Sequence, residues 1–314
     1  MKLLFIVDAL AALKPYKDSS VAIMRAAQAR GHAVFAAGTA DLLLRDGQAL
    51  AACVALQVNS SDDWYTAATS ATLALSDFDA ALMRTDPPVD TDYLLATQLL
   101  DVAVKNGARV LNRPAALRDF NEKLAILNFP QFIAPTLVSA KIGDIATFLT
   151  AHADIIVKPL TEMGGSGIFR LTAVDPNRNA ILETLTQRGR RPIMAQRYLP
   201  EIAQGDKRIL IIGGEVIPWT LARIPQPGET RGNLAAGGTG RAQALSPRDR
   251  EIAETIAPWT QQHGLFLVGL DVIGDCLTEI NVTSPTGFQE ITAQTGFDVA
   301  AQFIAAIERG GQLK

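Results

Sequence analysis

VGLDVIGDCLTEINVTSPTG, residues 268–287, sets acidic and amide side chains inside otherwise apolar strands. Two alternating runs flank the Gly-Asp pair at 274–275, so the segment predicts a β-hairpin. A two-residue loop there would place Asp271 opposite Thr278, whereas a three-residue loop or a β-bulge would place it opposite Glu279. We predict the second arrangement, which brings two carboxylates together on one face.

The same hairpin predicts a metal site. Glu279 and Asn281 lie two residues apart and therefore share a face of their strand. With Asp271 opposite, two carboxylates and an amide form the hard oxygen site that Mg²⁺ prefers. The alternative is a strand pair joined by ion pairs. Residues 265–290 contain no Lys or Arg, and an unpaired carboxylate is expensive to bury, so we expect a metal ion instead.

A second segment, IIVKPLTEMGGSGIFR at residues 155–170, predicts an anion site. Lys158 ends a buried strand, and a lysine beside a turn of free backbone N–H groups suits a polyphosphate. The turn consists of Gly164, Gly165, Ser166 and Gly167. The alternative is an ordinary hairpin whose turn needs positive φ. Neither a P-loop nor a complete dinucleotide fingerprint is present.

The first part of the chain alternates apolar runs with helical periodicity. KLLFIV, HAVFAA, AALM and ARVLN are typical of strands, and SSVAIMRAAQARG and TDYLLATQLLDVAVKNG of helices that stop at glycine. This alternation predicts a parallel α/β sheet through about residue 113. Beyond it we expect a helix AALRDFNEKLAIL at 115–127, and then mainly antiparallel strands, with a hairpin at 207–224 that turns at Gly213 and Gly214.

Composition indicates a compact globular protein. The chain has 314 residues, of which 48% are hydrophobic and 19% charged, enough for two or three domains. A net charge of −3 provides no basic field for nucleic acid, and no Lys/Arg run marks a membrane surface. Asp8 interrupts the apolar N-terminus, which we interpret as a first strand and not a signal peptide. Cys53 and Cys276 make no disulfide framework, which fits a reducing cytoplasm.

Six segments occur in an order that resembles the bacterial glutathione synthetase family of ATP-grasp ligases. They are MRTDPP, RDFNEKL, VKPLTEMGGSGIFR, GDKRIL, LARIPQPGETRGNLAAGGTGRA and GLDVIGDCLTEINVTSPTG. The resemblance implies an α/β protein with an open parallel N-terminal domain, of pre-ATP-grasp type, followed by an ATP-grasp fold of two α+β subdomains. The implied limits are 1–119 for the N-terminal domain, 120–200 and 201–314 for the subdomains, and 226–241 for a mobile glycine-rich loop.

The resemblance also implies a two-step ligation. ATP would phosphorylate the C-terminal carboxylate of γ-glutamylcysteine, and the amine of glycine would attack the acyl phosphate to yield glutathione, ADP and phosphate. Mg²⁺ or Mn²⁺ would bind Asp271, Glu279 and Asn281. The implied ATP contacts are Lys123, Lys158, Gly164, Gly165, Ser166, Gly167, Gln196, the backbone of Tyr198 and Leu199, and Asp206. For QRYLP at 196–200 the alternative is an ordinary strand end.

Three arginines are expected at the reacting groups. Arg208 begins a buried strand and would point toward the transferring phosphoryl group, because a guanidinium stays charged and grips phosphate oxygens through two donors. A surface ion pair is the alternative for Arg208. The resemblance places Arg223 at the base of the glycine-rich loop, where it would hold the dipeptide, and Arg231 within the loop.

The glycine-rich loop has a predicted role as a cover. Its core, from Pro227 to Gly240, contains almost nothing that could pack. An acyl phosphate must be shielded from water, and a flexible segment can close over it and open for substrates. We expect the loop to be mobile without ligands and Arg231 and Asn233 to touch substrate or phosphate. The alternative is a surface loop without a role.

The N-terminal sheet contributes the expected dipeptide contacts. Arg84 and Asp86 follow a buried strand, at the edge where open α/β sheets bind ligands. The alternative is a turn that Asp86 stabilises before two prolines. The resemblance implies that the dipeptide contacts are Arg84, Asp86, Ser19, Ser20, Ser284 and Thr286.

Two other functions stay open on these observations. Another ATP-grasp ligase would join a different carboxylate and amine with the same motifs, since acceptor choice depends on pocket shape. A nucleotide-binding module without turnover would lose metal ligands or the loop arginine, which are all present here. The Cys and His residues are scattered along the chain without the spacing of a catalytic triad or a zinc site, so neither is predicted. The resemblance implies a homodimer or homotetramer with no nucleic-acid or membrane partner.

Overall fold

The computed structural model describes residues 1–229, 231–232, 234 and 237–310. They form three β-sheets that follow one another along the chain. No helix among them combines the length and the apolar character needed to cross a membrane.

The first sheet has a parallel α/β core with an antiparallel extension. Its strands are β1 (Lys2–Ile6), β2 (Ala33–Ala37), β3 (Leu42–Arg45), β4 (Gln48–Val58), β5 (Tyr65–Ala67), β6 (Ala71–Ala74), β7 (Ala80–Met83) and β8 (Val110–Leu111), and its helices are α1 (Ser19–Ala29), α2 (Thr91–Lys105) and α3 (Pro114–Asp119). β1 pairs in parallel with β2 and β7, and β7 with β8, which confirms the predicted parallel core. β4 runs antiparallel to β2 and adds β3, β5 and β6, which are too short to show a period in sequence.

The second sheet is antiparallel and covers the middle of the chain. Its strands are β9 (Thr136–Ser139), β10 (Asp154–Pro159), β11 (Phe169–Thr172) and β12 (Ile193–Arg197), with helices α4 (Ile142–His152) and α5 (Arg178–Leu185). Ile155 and Val157 of β10 are fully buried against the two helices. Strand alternation therefore turns Ile156 and Lys158 to the opposite face, where both line a cleft.

The third sheet is also antiparallel, in the order β15-β14-β13-β16-β17. Its strands are β13 (Asp206–Ile212), β14 (Glu215–Ile224), β15 (Thr239–Ala244), β16 (Leu267–Ile273) and β17 (Cys276–Asn281), and its helices are α6 (Pro247–Gln262), α7 (Phe288–Thr295) and α8 (Val299–Glu308). Ile212 pairs with Glu215, so the predicted turn at Gly213 and Gly214 is confirmed.

The first and third sheets share one apolar core. Leu3 and Phe5 of β1 belong to the same buried cluster as Phe266 and Phe303. Asn112, directly after β8, joins the sheets through its side chain. Its Oδ1 accepts the N–H groups of residues 266 and 267 at 2.6 and 2.8 Å, and its Nδ2 donates to the carbonyls of residues 267 and 282 at 2.8 and 2.7 Å.

The helix predicted over 115–127 is wrong in its second half. Helix α3 ends at Asp119, and a short 3₁₀ turn follows at Ala125–Asn128. Asn121 accounts for the break, because its Oδ1 accepts the N–H groups of Lys123 and Leu124, both at 3.1 Å. An Asn side chain that bonds nearby backbone groups competes with the helix.

Asn112→Ala is expected to destabilise the fold strongly. Leaving each buried backbone group unsatisfied costs roughly 1–3 kcal/mol, so we expect the free energy of unfolding to fall by about 3 kcal/mol or more. Urea unfolding of the parent and the variant measures this change. Asn179→Ala, at an exposed site, is the matched control, and an equal loss in both variants would contradict the role of Asn112.

Candidate active site

The carboxylates of the last hairpin face each other as predicted. Asp271 of β16 pairs with Glu279 of β17, and the register shifts directly after Asp271. Val272 then pairs with Leu277, so Thr278 is the extra residue of a bulge. Thr278 Oγ1 donates to the carbonyl of Asp271 at 3.1 Å and closes that bulge. Gly269 pairs with Asn281, which completes the predicted row of oxygen ligands.

The expectation of carboxylates without cationic partners is wrong. Arg208 pairs with Asp271 across β13 and β16, and its Nε and Nη2 donate to the two carboxylate oxygens at 2.5 and 3.0 Å. Arg223 of β14 lies 2.8 Å from the second oxygen. These partners come from strands that precede the hairpin by about fifty residues or more in the chain, so the local absence of Lys and Arg did not decide the pairing.

Burial and the two arginines act on Asp271 in opposite directions. Burial by itself would raise the pKa of this carboxyl group, but Arg208 and Arg223 outweigh it and lower the pKa well below its usual range. Burial also acts against Arg223, yet Asp206 and Asp271 raise the pKa of its guanidinium. The carboxylate therefore stays ionised in the interior of the sheet.

Two lysines complete the charged row at Glu279. Lys123 Nζ lies 3.0 Å from a Glu279 oxygen and donates to the carbonyl of Glu162 at 2.6 Å. Lys158 Nζ donates to the carbonyl of Thr278 at 3.1 Å. Burial lowers the pKa of Lys158, although Glu279 opposes this effect. Both lysines thus point from outside the third sheet toward the middle of β17.

A cleft open to solvent lies between the second and third sheets. The predicted ATP contacts on its wall are Lys123, Lys158, Gly164, Gly165, Ser166, Gln196, Tyr198, Leu199 and Asp206. Gly167 is absent from this wall and stands behind the turn, where an added Cβ would meet the ring of Pro159 at 3.0 Å. The φ angles of Gly164, Gly165 and Gly167 are 62°, 86° and 68°, a conformation that explains the glycines.

Strand β12 and the residues after it form one part of this cleft. Gln196 is buried, and its Nε2 donates to Thr136 Oγ1 at 3.0 Å. The N–H of Tyr198 donates to the carbonyl of Asp154 at 3.0 Å, so this donor is not available to a ligand. Arg170 stacks on the Tyr198 ring at 3.8 Å from its centroid and holds the aromatic side chain.

A larger cavity adjoins the cleft and is walled by the first and third sheets. Glu279 lines both spaces. The predicted site residues on the wall of the larger cavity are Asp86, Gly164, Arg208, Arg223, Glu279, Asn281, Ser284 and Thr286. Both cations and carboxylates line this wall, which suits a molecule that carries both charges.

Other predicted dipeptide contacts lie behind the cavity wall. Arg84 is buried, with its Nε donating to Ser20 Oγ and its Nη2 to the carbonyl of Pro285, both at 3.1 Å. Ser19 is also buried and accepts the N–H of Phe288 at 3.4 Å. Asp86 does reach the cavity and accepts a hydrogen bond from the Ser284 hydroxyl. Burial raises the pKa of Asp86, and the Ser284 hydroxyl and Arg84 oppose that rise.

The predicted loop arginine lies beside the glycine turn. Arg231 lines the smaller cleft, and its Nη1 is 3.5 Å from the carbonyl of Gly165. Its Nη2 forms an ion pair of 2.6 Å with Glu229 of the same loop. Asn233, predicted to contact substrate, lies outside the described residues.

The sequence patterns missed four carboxylates of the larger cavity, Asp8, Asp18, Glu122 and Glu290. Asp8 lies two residues after β1 and accepts the N–H of Asp86 at 3.0 Å. Glu122 lies in the break after α3. Asp8 carried a usable signal, because side chains after adjacent parallel strands meet at one edge of the sheet. Glu122 carried none, since the pattern there predicted a continuous helix.

Two family models match this chain. "Prokaryotic glutathione synthetase, N-terminal domain" matches residues 1–118, and "Prokaryotic glutathione synthetase, ATP-grasp domain" matches residues 122–296. The chain belongs to the prokaryotic glutathione synthetase family. Relatives named glutathione synthetase include proteins of Neisseria meningitidis serogroup A, 59% identical over 98% of both chains, and of Ralstonia nicotianae, 53% identical over 98% of this chain and 96% of the relative.

Solved structures show the same architecture. D-cycloserine synthetase DcsG superposes with a TM-score of 0.69 at 14% identity, over 99% of this chain and 100% of its own. A RimK domain ATP-grasp protein from Sphaerobacter thermophilus reaches 0.64 at 19% identity, over 98% and 99%. These likenesses concern the fold alone, and with the family match they confirm the predicted N-terminal α/β domain followed by an ATP-grasp fold.

Asp206 supplies a test of the buried charge network. One carboxylate oxygen lies 2.5 Å from Arg223 Nη2, and the other is buried without a hydrogen-bond partner in the described part of the chain. Burial raises the pKa of Asp206 to about 6, with Arg223 opposing and Asp271 adding to the rise. Its unfolded pKa is about 3.9. Between these two values the folded state binds the proton more tightly, so the stabilisation present at low pH is lost as pH rises through about 6.

Asp206→Asn is therefore expected to gain relative stability as pH rises. From pH 5 to pH 7, the free energy of unfolding of the parent should fall by on the order of 1 kcal/mol relative to that of the variant. Urea unfolding of both proteins without ligands, in the presence of a chelator, measures this difference. Asp62→Asn, at an exposed site, should show no such drift, and a pH-independent difference for Asp206→Asn would contradict the raised pKa.

Proposed function

We propose that this chain is an ATP-dependent ligase that joins γ-glutamylcysteine to glycine and so makes glutathione. The observation that carries the proposal is the position of Glu279, which lines both the anion-binding cleft and the mixed-charge cavity. A nucleotide in one space and a dipeptide in the other would meet at this residue. Family membership supports the same reaction, because relatives named glutathione synthetase match 98% of the chain.

The chemistry requires that the two spaces adjoin. In the first step, a carboxylate oxygen of the dipeptide attacks the terminal phosphorus of ATP, and the bond to the ADP oxygen breaks. In the second step, the unprotonated amine of glycine attacks the acyl carbon. The carbon–oxygen bond to phosphate breaks, and the nitrogen loses a proton. The first step brings anions together, so the site must supply positive charge.

The nucleotide is assigned to the smaller cleft. Lys123 and Lys158 would bind phosphate oxygens, together with the N–H groups of the glycine turn 164–167. Gln196 and the backbone after it would contact the base, with the carbonyl of Tyr198 and the N–H of Leu199 as the available groups. Asp206 would contact the ribose.

Asp271, Glu279 and Asn281 fit a hard divalent cation such as Mg²⁺ or Mn²⁺. All three carry oxygen, and both oxygens of Asp271 would have to leave Arg208 and Arg223 to bind the cation. Asn281 donates its Nδ2 to the carbonyl of Gly269 at 3.2 Å, which leaves its amide oxygen for a ligand. In the described residues no group of three His, Cys, Asp or Glu side chains forms a metal site, so the amide is essential to this set. A bound cation would neutralise phosphate charge beside the lysines.

The arginines are assigned to the reacting carboxylate. Arg208 and Arg223 line the larger cavity next to Glu279 and Asn281. Their guanidinium groups would stabilise the acyl phosphate and the oxyanion formed when the amine attacks. Asp86, Ser284 and Thr286 would contact the dipeptide directly, whereas Arg84, Ser19 and Ser20 would support the wall from behind.

The remaining assignments follow from the same family likeness. We assign residues 1–119 to the N-terminal domain, 120–200 and 201–314 to the ATP-grasp subdomains, and 226–241 to a loop that closes over the intermediate. We also propose a homodimer or homotetramer that works in the cytoplasm. Two free cysteines, one of them buried, agree with a reducing compartment.

ADP release tests the proposed function. Purified protein receives ATP, Mg²⁺, γ-glutamylcysteine and glycine, and each component is omitted in turn. We expect ADP and glutathione to form in equal amounts and glutathione to require all four components. ATP binding without turnover for these substrates would overturn the substrate assignment and direct the search to other carboxylate and amine pairs.

Arg231→Ala is expected to lower turnover more than ATP binding. Its Nη1 lies 3.5 Å from the carbonyl of Gly165 in the glycine turn. The loss of one positioned cation lowers kcat by roughly 10²-fold. Steady-state kinetics and the Kd for ATP measure the two effects separately. Arg241→Ala, in strand β15, serves as the control, and equal activity of parent and Arg231→Ala would contradict the role of the loop.

A further inference from the structure

Residues 121–123 link the second and third sheets. Asn121 Nδ2 donates to the carbonyl of Leu160 at 2.8 Å, and Lys123 Nζ donates to the carbonyl of Glu162 at 2.6 Å. Both carbonyls lie on the segment that leads from β10 into the glycine turn. The side chains on either side of Glu122 therefore hold the entrance of that turn.

Glu122 itself holds the opposite wall. Its main-chain carbonyl accepts the N–H of Ile280 at 2.9 Å. Its Oε1 accepts the N–H groups of Val282 and Thr283 at 2.8 and 3.0 Å and the hydroxyl of Thr283 at 2.9 Å. Glu122 thus fixes the chain on both sides of Asn281.

The segment that Glu122 fixes forms one wall of the larger cavity. Thr283, Ser284 and Thr286 all line that cavity, as does Glu122. The far end of the wall is held from the first sheet, where Arg84 donates to the carbonyl of Pro285. Glu122 provides the near end, so the wall is supported at both ends by residues that precede the ATP-grasp sheets.

A carboxylate at this position is costly for the protein. The residue is half-buried, and this burial raises the pKa of its side chain, with the nearby charge of Glu279 adding to the effect. A neutral side chain would avoid the repulsion from Glu279. Three donors converge on one oxygen of Glu122, and hydrogen bonds to a charged acceptor are stronger and more closely defined in geometry than those to a neutral one.

We propose that Glu122 is a positioning residue, which sets Asn281 and the cavity wall from Thr283 to Ser284 in register with Lys123. This inference rests on the proposed function, which assigns the phosphate to Lys123 and the dipeptide carboxylate to the cavity wall. Lys123 would then position the phosphate, and Glu122 would position the dipeptide that accepts the phosphoryl group. A residue with only a structural role would change stability and leave the kinetic constants of the folded enzyme unchanged.

The test compares Glu122→Ala and Glu122→Gln with the parent under full turnover conditions. In Glu122→Ala we expect kcat/KM for γ-glutamylcysteine to fall roughly 10–100-fold, the usual loss when a supporting partner of a site is removed. The Kd for ATP, measured in a chelator and without γ-glutamylcysteine, should change by less than about twofold, because Glu122 does not line the smaller cleft and its effect on Asn281 would matter only when a cation is bound. Glu122→Gln keeps an accepting oxygen and should recover part of the loss.

Thr283→Val extends the test if Glu122→Ala does not fold. It removes one of the three donors to Glu122 and should lower kcat/KM for the dipeptide in the same direction. The double variant Glu122→Gln/Thr283→Val should lose less than the product of the single losses, because both changes break one contact. Glu254→Gln, at a side chain that is 58% exposed, is the control and should match the parent.

The outcomes separate this inference from the proposed function. If the parent makes no glutathione, the proposed function fails, and with it the positioning role of Glu122 toward that dipeptide. The positioning role is overturned if the parent makes glutathione and the folded Glu122 and Thr283 variants have the same kcat/KM for γ-glutamylcysteine as the parent. Equal losses in dipeptide kinetics and ATP affinity would also overturn it, since they indicate general disruption of the site.

Discussion

The burial of the Asp271 carboxylate in the middle of the third sheet is the constraint on which the site depends. A buried carboxylate needs cations at hydrogen-bond distance, and Arg208 and Arg223 of two neighbouring strands provide them. Their side chains need space, and Gly269 supplies it. A Cβ at that position would meet the side chains of Arg208 and Pro285 at 2.8 Å. The glycine in a central strand thus follows from the ion pair beside it.

The buried carboxylate also determines how the other charged side chains of the site are arranged. Asp206, Arg223, Asp271 and Arg208 alternate in sign across adjacent strands, and Lys123 and Glu279 continue the pattern at the sheet edge. Each charge is neutralised by its neighbours without a ligand. Under the proposed function, entering phosphate and carboxylate groups would compete with these internal carboxylates for the lysines and arginines, and a divalent cation would suit the carboxylates so released. Ion pairing is the state that the structure shows, and the proposed cation site would use the same carboxylates.

Sequence patterns correctly predicted the elements that depend only on neighbouring residues. Alternation and turn residues indicated the hairpin of Asp271 and Glu279, the turn at Gly213 and Gly214, and the parallel strands of the first sheet. They failed where a side chain redirected the backbone, as Asn121 does by ending α3 early. That break could not be read from hydrophobic spacing, which continues through it, and it is what frees Glu122 and Lys123 to reach opposite sheets.

The sequence by itself determined on which strand or turn most of the predicted side chains lie. It determined this because strand period, glycine turns and the order of motifs are properties of neighbouring residues. Only the tertiary structure decided which cation meets which carboxylate and that Glu122 braces the wall after Asn281. The physical reason is that these partners lie on strands separated by dozens to more than a hundred residues, and their contact depends on sheet order and register, to which no local pattern is sensitive.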